Sequence, residues 1–324
     1  MAKLEAKIIS HKDIAEFNRL AEEHGGVFSQ PKWFDTFGHN ALRIGLFQMD
    51  GQLVGGFLCT MTPLKVLKVL SPLRFTPHAA LFFKQNTSNA AGSTQYEKSV
   101  GKAISTWILE QSVKTVLLPF PWSYDDMQSF TWDGFRVAPK YTYRLSLEPS
   151  GEAIRANFSQ SAKSAIKKAE KSEIVVTICD DAQKVHELLN ETLQSKNDSF
   201  DLGLTLEEIK NLFETELAFA LVANCNEKPI ATGVFVHDRL NCYYLLGGVN
   251  RKYSKLEGGT AIIWSGIQKA KEIGCEVFDF EGSMNPGIEH FFRGFGGKLT
   301  PYFQIIKANK LQRRILRLGG RKEF

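Results

Sequence analysis

One arrangement occurs twice along the chain, and it constrains the fold more than any other feature. Apolar runs at 42–49 and 53–61 flank Asp50-Gly51, a dipeptide that favours a tight turn between paired strands. Further strands are expected at 66–70 and 79–83. Val100, Ile104, Trp107 and Ile108 then recur at helical spacing in a helix near 95–111. A short buried strand follows at 115–118, closed by Pro119 and Pro121. The second half repeats this order. Apolar runs at 219–223 and 230–237 surround the turn Asn226-Glu227-Lys228-Pro229, and a strand follows at 242–247. A helix from about 259 to 273 carries Ile263, Ile267 and Ala270 on one face and stops at Gly274. A strand at 276–280 completes the set. The pattern predicts an internal duplication. Single cores stop growing at roughly 250–300 residues, so two domains are expected in 324 residues.

Between the repeats, 154–171 reads as one helix, 174–178 as a strand and 182–194 as another helix. Pro149 and Gly151 punctuate 147–151, the expected linker. The expected domains are therefore 1–148 and 149–324.

Charge is unevenly spread. The formal net charge is +5, yet residues 303–324 hold seven Lys or Arg against the single acid Glu323. Residues 154–171 hold five basic residues against Glu170. The remainder is mildly acidic, which speaks against a general attraction to nucleic acid. The N-terminus lacks the apolar stretch of a signal peptide. The longest uncharged apolar-rich run, 51–64, is shorter than the roughly 20 residues of a membrane span. Five scattered cysteines without Cys-x-x-Cys point to buried free thiols in a reducing cytoplasm, with neither a disulfide framework nor zinc. The seven histidines show no ligand spacing, so no metal is expected.

Four segments resemble the FemAB-like branch of the GNAT acyl-CoA N-acyltransferases, the methicillin-resistance or peptidoglycan-bridge type. They are Ser29-Gln30-Pro31-Lys32-Trp33, the basic helix 161–171 with Lys163 where arginine is common, Phe278-Asp279-Phe280-Glu281-Gly282, and Phe292-Arg293-Gly294-Phe295-Gly296-Gly297. The resemblance implies a mixed α/β (α+β) fold of two tandem GNAT-like domains and acyl or aminoacyl transfer to an amine without a metal. At the place of the family's coenzyme A loop stand Arg251, Gly258, Gly259 and Thr260. Ser254 and Leu256 replace the usual small residues, and the glycines come two or three positions late. This separates the segment from an ordinary acetyl-CoA loop.

Acyl transfer to an amine requires a proton acceptor and a polarised carbonyl. Asp279 and Glu281 end a buried strand and alternate with Phe278 and Phe280, so both carboxylates should share a face. Such a pair raises one member's pKa and suits it as a base. One capping the loop and the other forming a salt bridge is the competing reading. Glu289 and His290, on an expected short helix after Pro286-Gly287, are further candidates. Lys163, Lys167 and Lys168, with Lys171, crowd one helix face and, with Phe292 and Arg293, would meet a phosphate-bearing acceptor in an inter-domain cleft. The alternative is a solvated helix face. The helix 308–318 places Leu311, Ile315 and Leu318 at i, i+4 and i+7 among Arg313, Arg314 and Arg317. It would dock on its own domain, lie on anionic lipid as a peripheral contact, or touch RNA.

The leading expectation is a cytoplasmic N-acyltransferase using acyl-CoA or an acyl carrier as co-substrate, with no tightly bound cofactor. Two alternatives stand beside it. One is a transferase using aminoacyl-tRNA and a peptidoglycan precursor. The other is a non-catalytic nucleic-acid or membrane-surface binding protein with the same fold.

Overall fold

The computed structural model describes residues 3–64, 67–85, 89–194, 203–282 and 284–318. The chain forms two compact units: Tyr141–Thr300 is one, and the residues up to Lys140 together with those from Pro301 onward are the other.

In the first unit the hairpin Ala41–Gln48 and Leu53–Leu64 closes around Gly51, whose φ of +89° suits glycine. The Gln52 amide donates to Asp50 Oδ1, so the aspartate closes its own turn. Leu4–Ile8 pairs antiparallel outside Ala41–Gln48, and Leu67–Ser71 pairs antiparallel inside Leu53–Leu64. The helix Ala90–Glu110 then crosses over and leads to Thr115–Pro119, which runs parallel to Leu67–Ser71. Its apolar face, with Val100, Ile104 and Ile108, packs on Ile44, Phe57 and Val116, all buried.

The second unit repeats that connectivity. Ala218–Cys225 and Lys228–His237 form a hairpin, Asn241–Val249 adds antiparallel, and the helix Gly258–Glu272 crosses to Val277–Asp279, parallel to Asn241–Val249. Val175–Ile178 flanks the hairpin, and Arg136–Ser146 pairs antiparallel with Val277–Asp279. The repeated order in the sequence is thus a repeated β-β-β-α-β topology. The turn is tighter than expected: Asn226 and Glu227 both take positive φ, while Lys228 already pairs with Cys225.

Two expectations differ from the structure. The single helix at 154–171 is two, Gly151–Ala156 and Gln160–Lys171. Ser150 and Ser159 cap them by accepting from the amides of Ala153 and Ala162. Between them Phe158 turns into the core, edge-on to Trp264 and Phe295. The units also divide elsewhere than 148/149. Arg136–Ser146 carries the chain into the second unit, and Lys298–Lys307 carries it back. There Gln304–Lys307 pair antiparallel with Val116–Pro119, and Ile305 and Ile306 are buried. The helix Lys310–Leu318 therefore belongs with the first unit.

The Ser29–Trp33 motif is part of the first unit's interior. Pro31 opens a helix, Pro31–Phe37, where its missing N–H costs nothing. Trp33 is fully buried against Phe28 and Phe37, and its Nε1 donates to Thr76 Oγ1 at 2.9 Å. Ser29 Oγ donates to Gly26 O. Trp33→Ala is expected to cost about 3–5 kcal/mol of stability, read as a fall in the urea midpoint at unchanged slope.

Candidate active site

In the second unit, Asn241–Val249 and Val277–Asp279 pair through only three positions, ending at Tyr243 and Asp279. Beyond that point the strands part. The Phe280 amide donates to Tyr143 O at 3.0 Å, while Glu281 and Gly282 turn away at φ of +60° and +61°. A Cβ on Gly282 would lie 2.1 Å from Tyr141 O, so the backbones touch there and only glycine fits. The other flank of Asn241–Val249 stays paired with Lys228–His237 as far as Val249, through a bulge at Leu245. Residues 244–249 thus present a backbone flank with no strand partner on the side of Val277–Asp279, among the described residues.

This flank leads into the segment expected to hold the donor. Arg251–Leu256 forms a 3₁₀ turn, Glu257 takes a left-handed conformation at φ +67°, and the helix Gly258–Glu272 begins. The Ala261 amide bonds back to Glu257 O, so the amides of Gly258, Gly259 and Thr260 are the unreciprocated donors of the helix end. Gly258 and Thr260 are buried, and Gly258 packs on Ile230 and Ala231. Thr260 Oγ1 donates to Glu257 Oε2 at 3.4 Å. Lys168 Nζ stands 3.4 Å from Glu257 Oε1, which brings one lysine of the basic helix to this helix end. Arg251 is exposed at the start of the turn.

The carboxylates occupy unlike places. Asp279 is 3% exposed and fully engaged. Thr142 Oγ1 donates to its Oδ1 at 2.5 Å, the Glu281 amide donates at 2.9 Å, and Arg144 Nε lies 3.5 Å from Oδ2. Burial pushes the Asp279 carboxyl up to about 6, against the opposing pull of those three donors. The cause is burial rather than a neighbouring carboxylate. Phe278 and Phe280 stack edge-on in the core, opposite Asp279. Glu281, half-buried, sits past the strand end in the left-handed turn. Glu289, on the helix Pro286–Arg293, is about a third exposed. Its Oε1 accepts from the Tyr143 hydroxyl at 2.5 Å and lies 3.0 Å from Arg293 Nε. Arg293 Nη2 contacts His290 Nδ1 at 3.1 Å. Burial and the Glu289 carboxylate together push the Tyr143 phenol up.

The remaining candidates separate. Lys163 folds back to donate to Ala156 O at 2.6 Å, where it satisfies a carbonyl at the end of the preceding helix. Lys167 is exposed. Phe292 lies in the core between Tyr244 and Phe280, while Arg293 stays at the surface. The glycines after it serve close packing: a Cβ on Gly296, at φ +74°, would lie 2.9 Å from Asn157 O. The Ser159 amide donates to Gly294 O at 2.8 Å. The structure therefore brings Lys168 to Glu257 at the start of Gly258–Thr260, with Arg251 exposed one turn earlier, and Glu289 to Arg293.

Sequence reasoning missed Thr142, Tyr143 and Arg144. No strand was expected at 136–146, although Tyr141, Tyr143 and Leu145 alternate with polar residues as a half-buried strand does. Arg144 also donates to Asn241 Oδ1 at 3.1 Å, tying three neighbouring strands together beside Asp279.

Residues 156–293 match the model of the acetyltransferase (GNAT) domain. The class it defines is that of N-acyltransferase enzymes. No curated sequence matches the chain. Among solved structures, FemX superposes with a TM-score of 0.66 at 12% identity, covering 96% of this chain and 99% of FemX. L-PGS from Bacillus licheniformis superposes at 0.62 with 12% identity, covering 98% and 99%. A tandem GNAT protein from the clavulanic acid biosynthesis pathway superposes at 0.52 with 10% identity, covering 95% and 99%. At these identities the likeness establishes the fold: a GNAT fold with FemX-like neighbours along nearly the whole chain.

Asp279 carries a pH prediction. The folded protein holds its proton up to about pH 6, whereas the unfolded carboxyl releases it near 3.8. Unfolding between these values releases a proton, so this group's contribution to stability falls as pH rises through that window. Asp279→Asn should flatten that segment of a plot of urea midpoint against pH. An unchanged slope would show that Asp279 is ionised throughout.

Proposed function

We propose that the protein transfers an acyl or aminoacyl group to an amine, with the donor's phosphates at Arg251, Lys168 and the amides of Gly258–Thr260. The observation that carries this reading is the parting of the strands at Tyr243 and Asp279 within the stretch matched to the GNAT domain. An extended acyl or pantetheine-like arm finds a flank without a strand partner along 244–248, up to Val249, whose N–H and C=O are held by the Thr192 hydroxyl, and that flank runs on into a helix N-terminus suited to an anion. The late glycines leave the loop longer than an ordinary acetyl-CoA loop, which favours a donor other than acetyl-CoA itself: a larger acyl-CoA or an acyl carrier. The acceptor is a small molecule or a cell-wall precursor bearing an amine.

The chemistry requires that the amine nitrogen, neutral once its ammonium proton has passed to solvent, give up a further proton as it bonds to the donor carbonyl, and that the leaving thiolate or alkoxide, as its bond to that carbonyl breaks, gain a proton. We assign the first task to Glu289, since Asp279 is sealed from solvent by its three donors. The Tyr143 hydroxyl, already donating to Glu289, gives its proton to the leaving group. It recovers one from the newly protonated carboxyl, so the protons balance.

Binding raises the melting temperature of the native state. A panel of acyl-CoA thioesters, UDP-linked muropeptides and aminoacyl-tRNA therefore identifies the donor and acceptor. Acyl-CoA should raise the melting temperature in the wild type and not in Arg251→Ala; a shift with aminoacyl-tRNA alone would replace the acyl-CoA reading. Glu289→Gln should lower kcat about 10²-fold with the ligand-induced shift retained. Turnover at the wild-type rate in that variant would remove Glu289 as the base.

A further inference from the structure

The helix Lys310–Leu318 is a basic element that acyl transfer leaves unused. Asn309 caps it reciprocally: the Gln312 amide donates to Asn309 Oδ1 and the Asn309 amide to Gln312 Oε1, each at 2.8 Å. This cap satisfies two backbone donors at the start of the helix. Gln312 is held inward and buried, so Leu311, one position earlier, stands outward and is 66% exposed. A helix docked on its own domain would show the reverse, leucine inward and glutamine outward.

The surroundings of Leu311 are cationic. Lys310, Arg313 and Arg314 are exposed along the same helix. Beside it, a groove of about 460 Å³ is lined by Leu109, Lys114, Lys307, Asn309 and Gln312. Leu109 is a second exposed leucine, and Lys114 is exposed as well. Apolar side chains flanked by lysine and arginine match one kind of surface: hydrocarbon for the leucines, and phosphate for the cations. A nucleic acid would satisfy the charges and leave the leucines in water.

We propose that this face seats the protein on an anionic phospholipid bilayer, with the helix lying in the plane of the interface. The test is flotation of the full-length protein with vesicles of phosphatidylcholine alone or containing roughly 40 mol% phosphatidylglycerol. Partitioning should be about tenfold or more higher on the anionic vesicles and should fall steeply with salt. Leu311→Asp and the double change Lys310→Glu, Arg314→Glu should each lower it about fivefold or more, with melting temperatures unchanged because all three residues are exposed. Equal binding to both vesicle types, or wild-type binding by folded Leu311→Asp, overturns the proposal. So does salt-sensitive binding of RNA by a protein that ignores anionic vesicles.

Discussion

The brevity of one parallel strand pair underlies the chemistry assigned to this protein. Val277–Asp279 stays beside Asn241–Val249 for three residues, then its chain is drawn off. The amide of Phe280 is taken by Tyr143, and the left-handed turn at Glu281–Gly282 presses backbone on backbone at Tyr141. Asp279 secures the branching point. A carboxylate so deeply buried is costly unless donors surround it, and here the donors come from the same strand that receives the diverted chain. The fork and its buried acid are thus held by one strand, Arg136–Ser146.

Much of the architecture was legible because it is local. The Asp50-Gly51 turn, the helical spacing in 90–110 and the stop at Gly274 follow from short-range chemistry, and their repetition disclosed the duplication. What was not legible depended on distant partners. Phe158 interrupts a stretch with good helical spacing because Trp264 and Phe295 offer it a place in the core. No strand was expected at 298–307, because the partner it pairs with, Thr115–Pro119, lies far away in the chain.

At the site, residue types were easier to read than roles. Asp279 and Glu281 were matched as an interacting pair by alternation along a strand, yet the strand ends between them and burial sets the behaviour of Asp279 instead. Glu289 was visible as a carboxylate near a motif; its phenol partner, Tyr143, lies 146 positions away in the chain. The glycines around Arg293 show the same limit. Their spacing suggested a ligand's approach, whereas Asn157, Ser159 and Tyr143 are what they admit. A family motif can persist because it holds a fold together.

The chain's route between its units bears on how the molecule can be taken apart. It enters the second unit near Tyr141 and returns near Pro301, so the first unit is built from both ends of the polypeptide. The second is, topologically, an insertion within a host. No single cut separates them: stopping synthesis at residue 300 leaves the second unit whole and strips the final strand from the first. A proteolytic nick near either crossing would leave the host joined without a covalent link, by the pairing of 304–307 with 116–119 and by Ile305 and Ile306 in its core. During synthesis the first unit must also wait, its strand 115–119 without that partner, until the inserted unit has been made.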